Sequence, residues 1–234
     1  PGLSKNFHSG LFLPGEAHLD NRQLLKTLLE RIVALGGITR EKCHVSLSPH
    51  VEINGQSVGG YDVVVDSRGV GAKADKLGLR GVRGEVLWVE TPEIRLSRPI
   101  RLMHPRYKLY IVPKPHQQFI IGATEIESED RSPVSVQSMM ELCSALYTLN
   151  PAFAEARIVE LDSNLRPGYL HNLPALNQGV PSLYNNKVRS LIQFNGLYFH
   201  GFLLSPNLVY QWKKDIKQII QSHISSKLQS SINT

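Results

Sequence analysis

The sequence of 234 residues predicts a mixed α/β fold in which one sheet is interrupted by another. A helix-periodic stretch leads into Tyr61–Asp66, a β-branched run near glycines that is typical of a buried strand in a parallel sheet. A block of short strands between residues 85 and 121 then has the spacing of an antiparallel sheet, and further helices follow. This order fits a split two-domain chain better than two consecutive domains.

The first helix has a clear start and end in the sequence. Asp20 has the position of an N-cap with Gln23 three residues later, and apolar residues recur at helical spacing until Gly36-Gly37. We therefore predict a helix over residues 20–35 whose apolar stripe packs in the core. Before it, Leu11–Leu13 has the pattern of a short edge strand that ends in a Pro-Gly turn.

The remaining elements follow from local patterns. Residues 45–53 partly alternate like a strand, and Asn54-Gly55 is typical of a hairpin turn. Ser132-Pro133 predicts the start of a helix that ends before Pro151, and a second apolar-periodic run predicts a last helix over residues 207–224. Other short strands are predicted at residues 85–90, 101–103, 109–112, 119–121, 159–161 and 191–194.

Composition excludes several classes of protein. Hydrophobic residues make up 41% and charged residues 20%, values that exclude wholesale disorder. Cys43 and Cys143 form no C-x-x-C pair, which argues against a zinc ribbon, a thioredoxin-type site or a disulfide scaffold. Cys143 lies on the apolar face of a predicted helix, so we interpret it as a core residue. No apolar run is long enough to span a membrane, and residues 1–4 do not resemble a signal peptide, so we expect a cytoplasmic location.

The glycines that follow Tyr61–Asp66 allow two interpretations. Gly69 to Ala74 matches G-x-G-x-x-A after a strand, as in a dinucleotide-binding fingerprint. That motif needs a helix whose N–H groups hold the diphosphate, and Gly78, Gly81 and Gly84 interrupt the stretch where the helix would form. We favour a strand whose carboxyl end closely approaches another group, with glycines allowing the approach.

Three other positions have a functional and a structural interpretation. Arg166, beside Pro-Gly on a tight backbone, has the chemistry to bind a carboxylate or phosphate, but a surface turn arginine explains it as well. Tyr110 could direct a phenol into a pocket or pack in a core. Residues 196–206 precede the last helix and could present its N-terminus to an anionic or electron-rich ligand, or be a simple helix entry.

Several catalytic and metal-binding motifs are absent from the sequence. None of the nine histidines forms H-x-x-x-H or H-E-x-x-H, so no metal site is predicted. The sequence also contains neither G-x-S-x-G nor a Walker A pattern. The net charge of +6 is mild and could serve an anionic ligand or nucleic acid, although interleaved basic and aromatic patches are lacking.

Taken together, seven segments resemble one family, the FAD-dependent amine and D-amino-acid oxidases, and within it the glycine oxidase branch linked to thiamine biosynthesis. Each segment alone is weak, whereas their order and spacing are specific. The segments are Gly15–Asp20, Tyr61–Ala72, Leu79–Glu85, His104–Pro113, Ile121–Glu125, Leu165–Gly168 and His200–Pro206.

The resemblance implies roles for individual residues. Arg166 and Tyr110 would contact the substrate carboxylate, and Glu125 would border the substrate pocket. Many relatives have an arginine where this chain has Phe199, so Phe199 is expected to alter the pocket. The residues expected to lie against the flavin are Gly69, His200, Gly201, Phe202, Leu203 and Leu204.

The chemistry implied by the resemblance is the oxidation of a small amino acid or amine with FAD as cofactor. A hydride would pass from the α-carbon to flavin N5, the imine would hydrolyse to an oxo acid and ammonia, and O2 would reoxidise the flavin to give H2O2. Glycine, sarcosine, small D-amino acids and secondary amines all remain possible substrates. No nucleic-acid partner is expected, and a homo-oligomer is possible.

The resemblance also divides the chain. It implies an incomplete FAD-binding Rossmann-like domain interleaved with an antiparallel-sheet substrate domain. Residues 1–15 would be a substrate-domain edge strand, 16–80 part of the FAD-binding domain, 81–165 the substrate domain, and 166–234 the return to the FAD-binding domain with a C-terminal helix. The family begins with a strand, a G-x-G-x-x-G turn and a helix that bind the ADP half of FAD. No such pattern precedes residue 20, so we expect a chain that lacks this unit.

That expectation leaves two functions open besides the oxidase. The chain could be a catalytically inactive remnant that acts as a binding or assembly module, using an exposed sheet edge. A basic nucleic-acid-binding protein is the weaker alternative. Colour and flavin absorbance would distinguish the oxidase from both.

Overall fold

The computed structural model describes residues 7–47, 51–75, 78–103, 108–179 and 188–232. By its internal contacts the chain divides into two compact units. Unit 1 comprises Pro1–Thr39 and Arg83–Asn164, and unit 2 comprises Arg40–Val82 and Leu165–Thr234. Each unit is thus built from two stretches of chain. The sequence analysis divided the chain by function into residues 1–15, 16–80, 81–165 and 166–234. That division between substrate and FAD binding stays a prediction.

The described residues form three α-helices, eleven strands and three short 3₁₀ helices, the last at Gly69–Asp75, Pro151–Glu155 and Tyr198–His200. The helices are α1 (Asn21–Ala34), α2 (Val136–Leu149) and α3 (Gly201–Ile232). The strands are β1 (Val45–Ser46), β2 (Glu52–Ile53), β3 (Gln56–Ser57), β4 (Tyr61–Asp66), β5 (Arg80–Glu90), β6 (Ile100–Met103), β7 (Lys108–Lys114), β8 (Gln118–Gly122), β9 (Arg157–Gly168), β10 (Ala175–Gly179) and β11 (Val188–Asn195). The predicted mixed α/β fold is confirmed.

Unit 1 is organised around the five-stranded sheet with the order β6-β7-β8-β5-β9. The predicted antiparallel pairing is present, since β7 pairs antiparallel with both β6 and β8, and β8 pairs antiparallel with β5. Leu87, Ile111 and Ile121 are fully buried on this sheet, where the apolar side of α2 joins them in one core. Cys143 of α2 packs against that core, and burial raises the pKa of its thiol, as expected for a core residue.

A buried ion pair connects β5 to the start of α2. The Arg83 guanidinium donates to the Glu85 carboxylate over 2.5 Å and to the carbonyl oxygens of Asp130 and Pro133 over 2.7 Å each. Glu85 in turn accepts from the backbone N–H and hydroxyl of Ser135, both over 3.4 Å. Because Ser135 is the N-cap of α2, the ion pair fixes the helix start to the sheet.

The predicted core position of the α1 stripe is wrong. Asp20 does cap the helix, accepting a 3.0 Å bond from the backbone N–H of Gln23, and the helix has nearly the predicted bounds. No residue of α1 is buried, however, and Leu28 is 51% exposed. The helix is attached through its first turn, where Arg22 lies over the Trp88 ring at 4.6 Å and pairs with Glu160. Periodicity therefore identified the helix but not its packing.

Unit 2 contains a three-stranded sheet with the order β10-β11-β4 and a small meander of β1, β2 and β3. β4 pairs parallel with β11, as its sequence predicts. The expectation that β4 is buried is wrong in part, because it is an edge strand of the described sheet and Val65 is 52% exposed. Asn54 and Gly55 both have positive φ and form the predicted hairpin turn between β2 and β3.

Residues 45–53 contain two short strands, β1 and β2, rather than the one predicted, and β5 begins at Arg80 rather than at residue 85. Four further boundaries differ from the sequence predictions. Leu11–Leu13 is irregular and exposed, because a strand requires a pairing partner and none of the described strands pairs with it. α2 begins after Ser135 rather than Ser132, since the Ser132 hydroxyl bonds Asp130 instead of capping. α3 begins at Gly201, includes Pro206 and continues through the serine-rich stretch to Ile232. The fourth difference, at the end of β9, concerns the candidate site.

Candidate functional site

A pocket of about 360 Å³ lies in unit 2 where β4 and β11 end. The carboxyl ends of parallel strands are where open α/β sheets bind ligands. Its lining is mostly apolar side chains, with glycines and a few short polar groups. The lining residues are Val65, Ser67, Gly69, Pro167, Phe194, Asn195, Gly196, Leu197, Ser205, Leu208 and Val209.

The two strand ends are fastened to each other at the pocket. The Asn195 side-chain amide donates to the Gly69 carbonyl over 3.0 Å and accepts from the Gly196 N–H over 2.8 Å. Gly69 and Gly196 both have positive φ, which favours glycine. A Cβ at Gly196 would lie 2.4 Å from the Tyr169 ring. These residues therefore leave backbone, rather than side chain, facing part of the pocket.

A charged cluster supports the end of β4. Arg68 donates to Asp66 over 2.8 Å, to Asp75 and to the Val45 carbonyl over 2.6 Å. Burial opposes the charge of Asp66, but hydrogen bonds from Arg68 outweigh it and hold the pKa of this carboxyl below its usual value. The 3₁₀ helix that follows is short, so the helix required by the dinucleotide fingerprint is not formed at Gly69–Asp75.

Arg166 and Phe199, both predicted site residues, are in contact. The Arg166 guanidinium lies 4.6 Å from the centroid of the Phe199 ring, a cation–π arrangement. Arg166 is not on a tight turn, as the Pro-Gly sequence suggested, but at the end of the 12-residue strand β9. The next residue, Pro167, lines the pocket. The half-buried guanidinium is thus placed by a strand rather than by a loop.

Two residues that sequence reasoning missed extend this contact. Tyr198 packs edge-on against Phe199, with ring centroids 4.2 Å apart. The Arg80 guanidinium lies 5.8 Å from the centroid of the Tyr198 ring and donates to the Asn172 side-chain oxygen over 3.0 Å. Tyr198 precedes Phe199 in sequence, but only tertiary folding brings Arg80 to this pair.

The predicted flavin segment, His200 and Gly201–Leu204, spans the end of a 3₁₀ helix and the first turn of α3. The Ser205 hydroxyl bonds the Gly201 carbonyl over 2.5 Å, within this turn. Leu203 is 74% exposed, and the helix residues that line the pocket are Ser205, Leu208 and Val209. Of the residues predicted to bind the cofactor, the pocket lining includes Gly69.

Tyr110 and Glu125 belong to unit 1, where one strand pair brings their segments together. Tyr110 on β7 is paired with Gly122 on β8, and a Cβ at Gly122 would lie 2.7 Å from the Tyr110 hydroxyl oxygen. The phenol therefore covers the glycine that precedes the Ala-Thr-Glu stretch. Thr124 accepts a 2.9 Å bond from the Glu85 N–H, and Glu125 itself is exposed.

Metal and membrane features are not found in the described part of the chain. No group of three or more His, Cys, Asp or Glu side chains is placed to hold a metal ion among the described residues. Within the same ranges, no helix has the length and apolar character needed to cross a bilayer.

A glycine-containing pocket at the carboxyl ends of parallel strands is where an open α/β sheet binds a ligand or cofactor. Residues 1–208 match the family model described as DAO, FAD dependent oxidoreductase, and the chain belongs to that family. The predicted family is therefore confirmed, and with it FAD as the cofactor that the family uses.

The chain is also similar to individual proteins and solved structures of this family. Over 206 residues the chain is 43% identical to a Rhizobium etli protein named as a thiamine biosynthesis oxidoreductase, ThiO, an alignment that covers 88% of this chain and 57% of that protein. Crystal structures of glycine oxidases from Bacillus cereus and Geobacillus kaustophilus are also similar, each with a TM-score of 0.64. Their sequence identities are 25% and 27%, and the matches cover 78% of this chain and 52% and 50% of theirs. The chain thus spans about half the length of the relatives it matches.

Proposed function

We propose that this chain contributes the substrate-binding part of an FAD-dependent oxidase that acts on glycine or another small amino acid or amine. The observation that carries the proposal is the Arg166 guanidinium, half-buried at the end of β9 and lying on the Phe199 ring. A guanidinium held on an aromatic face can bind a carboxylate bidentately. Similarity to the named oxidoreductase and to glycine oxidases supports the same class of substrate.

The pocket of unit 2 suits part of a flavin. Its volume lies in the range of small-molecule sites, and its lining is largely apolar with a few polar groups. Gly69 and Gly196 both line it with positive φ, a backbone conformation that favours glycine. We assign Gly69 and the α3 start, His200 to Leu204, to cofactor binding. FAD, when bound, would supply the oxidising chemistry, accepting a hydride from the substrate α-carbon and returning electrons to O2 as H2O2.

The chain's own residues would bind and orient the substrate. Arg166 would hold the carboxylate, with Tyr110 as a second contact, and Glu125 and Phe199 would shape the pocket. Because orientation rather than acid–base chemistry is the protein's task, no general-base pair is required. Hydrolysis of the imine to an oxo acid and ammonia completes the reaction. A cytoplasmic location, a homo-oligomer and a link to thiamine biosynthesis are predictions of the same proposal.

The experiment compares flavin loading and turnover in four proteins. The wild-type chain, Arg166→Ala, Arg166→Lys and the control Arg157→Ala are supplied with FAD, and their absorbance and glycine-dependent H2O2 release are measured. Arg157 is an exposed arginine on the same strand, so it controls for loss of one charge. We expect flavin bands in all four and a raised apparent KM in both Arg166 variants. A wild-type chain that takes up no FAD would contradict the proposal.

A further inference from the structure

The end of β9 presents two residues on one face. Successive side chains of a strand point to opposite faces, so Arg166 and Gly168 share a face while Pro167 points away. Gly168 is buried and has no side chain to fill the space above it. Its φ is not in the left-handed region, so backbone conformation does not require glycine at this position.

Arg80 occupies the space over Gly168. A Cβ built on Gly168 would lie 2.6 Å from Nη1 of Arg80 and 3.2 Å from Cδ2 of Tyr198. Nη1 is shielded from solvent, and Nη2 donates to the Asn172 side-chain oxygen over 3.0 Å. The guanidinium is therefore anchored at Nη2 by Asn172, while Nη1 lies over Gly168. A side chain at residue 168 would displace Nη1.

The contacts continue from Arg80 to Arg166. Arg80 lies over the Tyr198 ring at 5.8 Å, Tyr198 packs edge-on against Phe199 at 4.2 Å, and Phe199 carries the Arg166 guanidinium at 4.6 Å. Two guanidinium groups thus lie at opposite ends of one aromatic pair, on the face that Arg166 shares with Gly168.

We infer that Arg80 is a positioning residue for substrate recognition, which holds the Tyr198–Phe199 pair and through it orients Arg166 toward the substrate carboxylate. Gly168 contributes to the same arrangement, because a glycine at this position leaves space for the Arg80 guanidinium. This inference rests on the proposed role of Arg166. It adds a residue whose effect on the carboxylate is indirect and which sequence patterns did not identify.

The magnitude follows from the aromatic contacts. The strength of a cation–π contact depends on its burial. We therefore expect Arg80→Ala to weaken carboxylate binding about twofold to thirtyfold. Because Arg80 does not touch the reacting atoms, kcat should change by less than about twofold. Arg80→Lys keeps the charge but lacks the planar fork, so it should restore binding only in part.

The experiment is a double-mutant cycle on the full chain supplied with FAD. Acetate, a carboxylate without an oxidisable amine, is titrated by calorimetry into wild type, Arg80→Ala, Gly168→Ala and the double variant, and KM and kcat for glycine are measured in parallel. Arg80→Lys and Arg157→Ala are the matched controls, and thermal midpoints report folding. We expect Gly168→Ala to weaken acetate binding as Arg80→Ala does. The double variant should bind acetate no more weakly than the single variant that has the lower affinity for acetate.

The outcomes separate the two proposals. Weakened acetate binding by Arg166→Ala, with unchanged binding in Arg80→Ala and Gly168→Ala, would overturn this inference and leave the proposed function intact. Strict additivity of the two single effects would also overturn it, because the side chains would then act independently. A wild-type protein that binds no acetate would contradict both proposals. If a single variant fails to fold, Arg80→Lys and the other single variant still decide the question.

Discussion

Two arginines show how differently the two units use a guanidinium. In unit 1, Arg83 is 4% exposed and donates to a carboxylate and two backbone carbonyls, all from the segments that hold α2 on the sheet. In unit 2, Arg166 is half-buried on an aromatic ring, beside residues that line the pocket. The first geometry encloses the cation in the fold, whereas the second leaves it only partly buried. Burial and the nature of the neighbours thus separate a structural arginine from a candidate binding arginine.

The largest effect is expected from breaking the enclosed pair. Arg83→Ala leaves Glu85 buried without its cation and should lower the free energy of unfolding by about 3 to 5 kcal/mol. The measurement is urea denaturation followed by circular dichroism. The control, Arg83→Met with Glu85→Leu, removes both charges and should recover most of the loss. If the double variant were no more stable than Arg83→Ala, the pair would not behave as a buried ion pair.

Leucines on two helices of unit 1 provide the next comparison. Leu146 of α2 is 4% exposed within the core, whereas Leu28 of α1 is 51% exposed. Leu146→Ala should therefore cost about 2 to 5 kcal/mol of stability, because it removes core packing and leaves a cavity. Leu28→Ala should cost less than about 0.5 kcal/mol. Equal losses in urea denaturation would show that the α1 stripe is packed after all.

The pocket wall of unit 2 can be tested through its glycines. Gly196 has a φ of +71°, and a Cβ there would meet the Tyr169 ring at 2.4 Å. Gly196→Ala should destabilise the fold by about 1 to 3 kcal/mol and weaken FAD uptake, because ring and strand end must move apart. Gly10→Ala is the control, since no atom lies within 4 Å of its added Cβ. Unchanged thermal midpoint and FAD uptake in Gly196→Ala would contradict the described wall.

The smallest effect concerns the acid dependence of unit 2. Although burial disfavours its charge, Asp66 has a lowered pKa because Arg68 hydrogen bonds outweigh that cost. A carboxyl with a lowered pKa contributes stability that is present above its unfolded value of about 3.9 and is lost as pH falls through the folded value. Asp66→Asn should therefore flatten the fall in unfolding free energy below about pH 4. An identical acid profile in both proteins would argue against this contribution.

Local signals in the sequence predicted much of the fold. Asp20 and Gln23 located the start of α1 because capping is a contact between neighbours in sequence. The spacing and intervening turns of the short strands predicted the antiparallel block, because turns are also set by residues that are neighbours in sequence. Periodicity did not reveal that the α1 stripe is exposed, since exposure depends on what packs against a helix. The sequence also did not show that β9 continues to Gly168, because Pro167-Gly168 has the pattern of a turn.

The candidate site was predicted less completely than the fold. Arg166, Tyr110 and Gly69 were identified through their segments' resemblance to a family, not through residue patterns alone. Arg80 and Tyr198 were missed because the contacts of Arg80 with Tyr198 and Gly168 join residues that are far apart in sequence. Such contacts leave no local pattern in the sequence, although in the structure the Arg80 guanidinium lies where a Cβ of Gly168 would be.

The most direct test of the central claim compares a substrate that has a carboxylate with one that lacks it. The kcat/KM of the FAD-loaded protein for glycine and for glycinamide is measured in wild type, Arg166→Ala and the control Arg157→Ala. A charge-assisted hydrogen bond contributes about 1.5 to 3 kcal/mol, so wild type and the control should prefer glycine by about 10-fold or more. Arg166→Ala should lose most of that preference by reacting more slowly with glycine alone. An undiminished preference for glycine in Arg166→Ala would contradict the assignment of Arg166 to the substrate carboxylate.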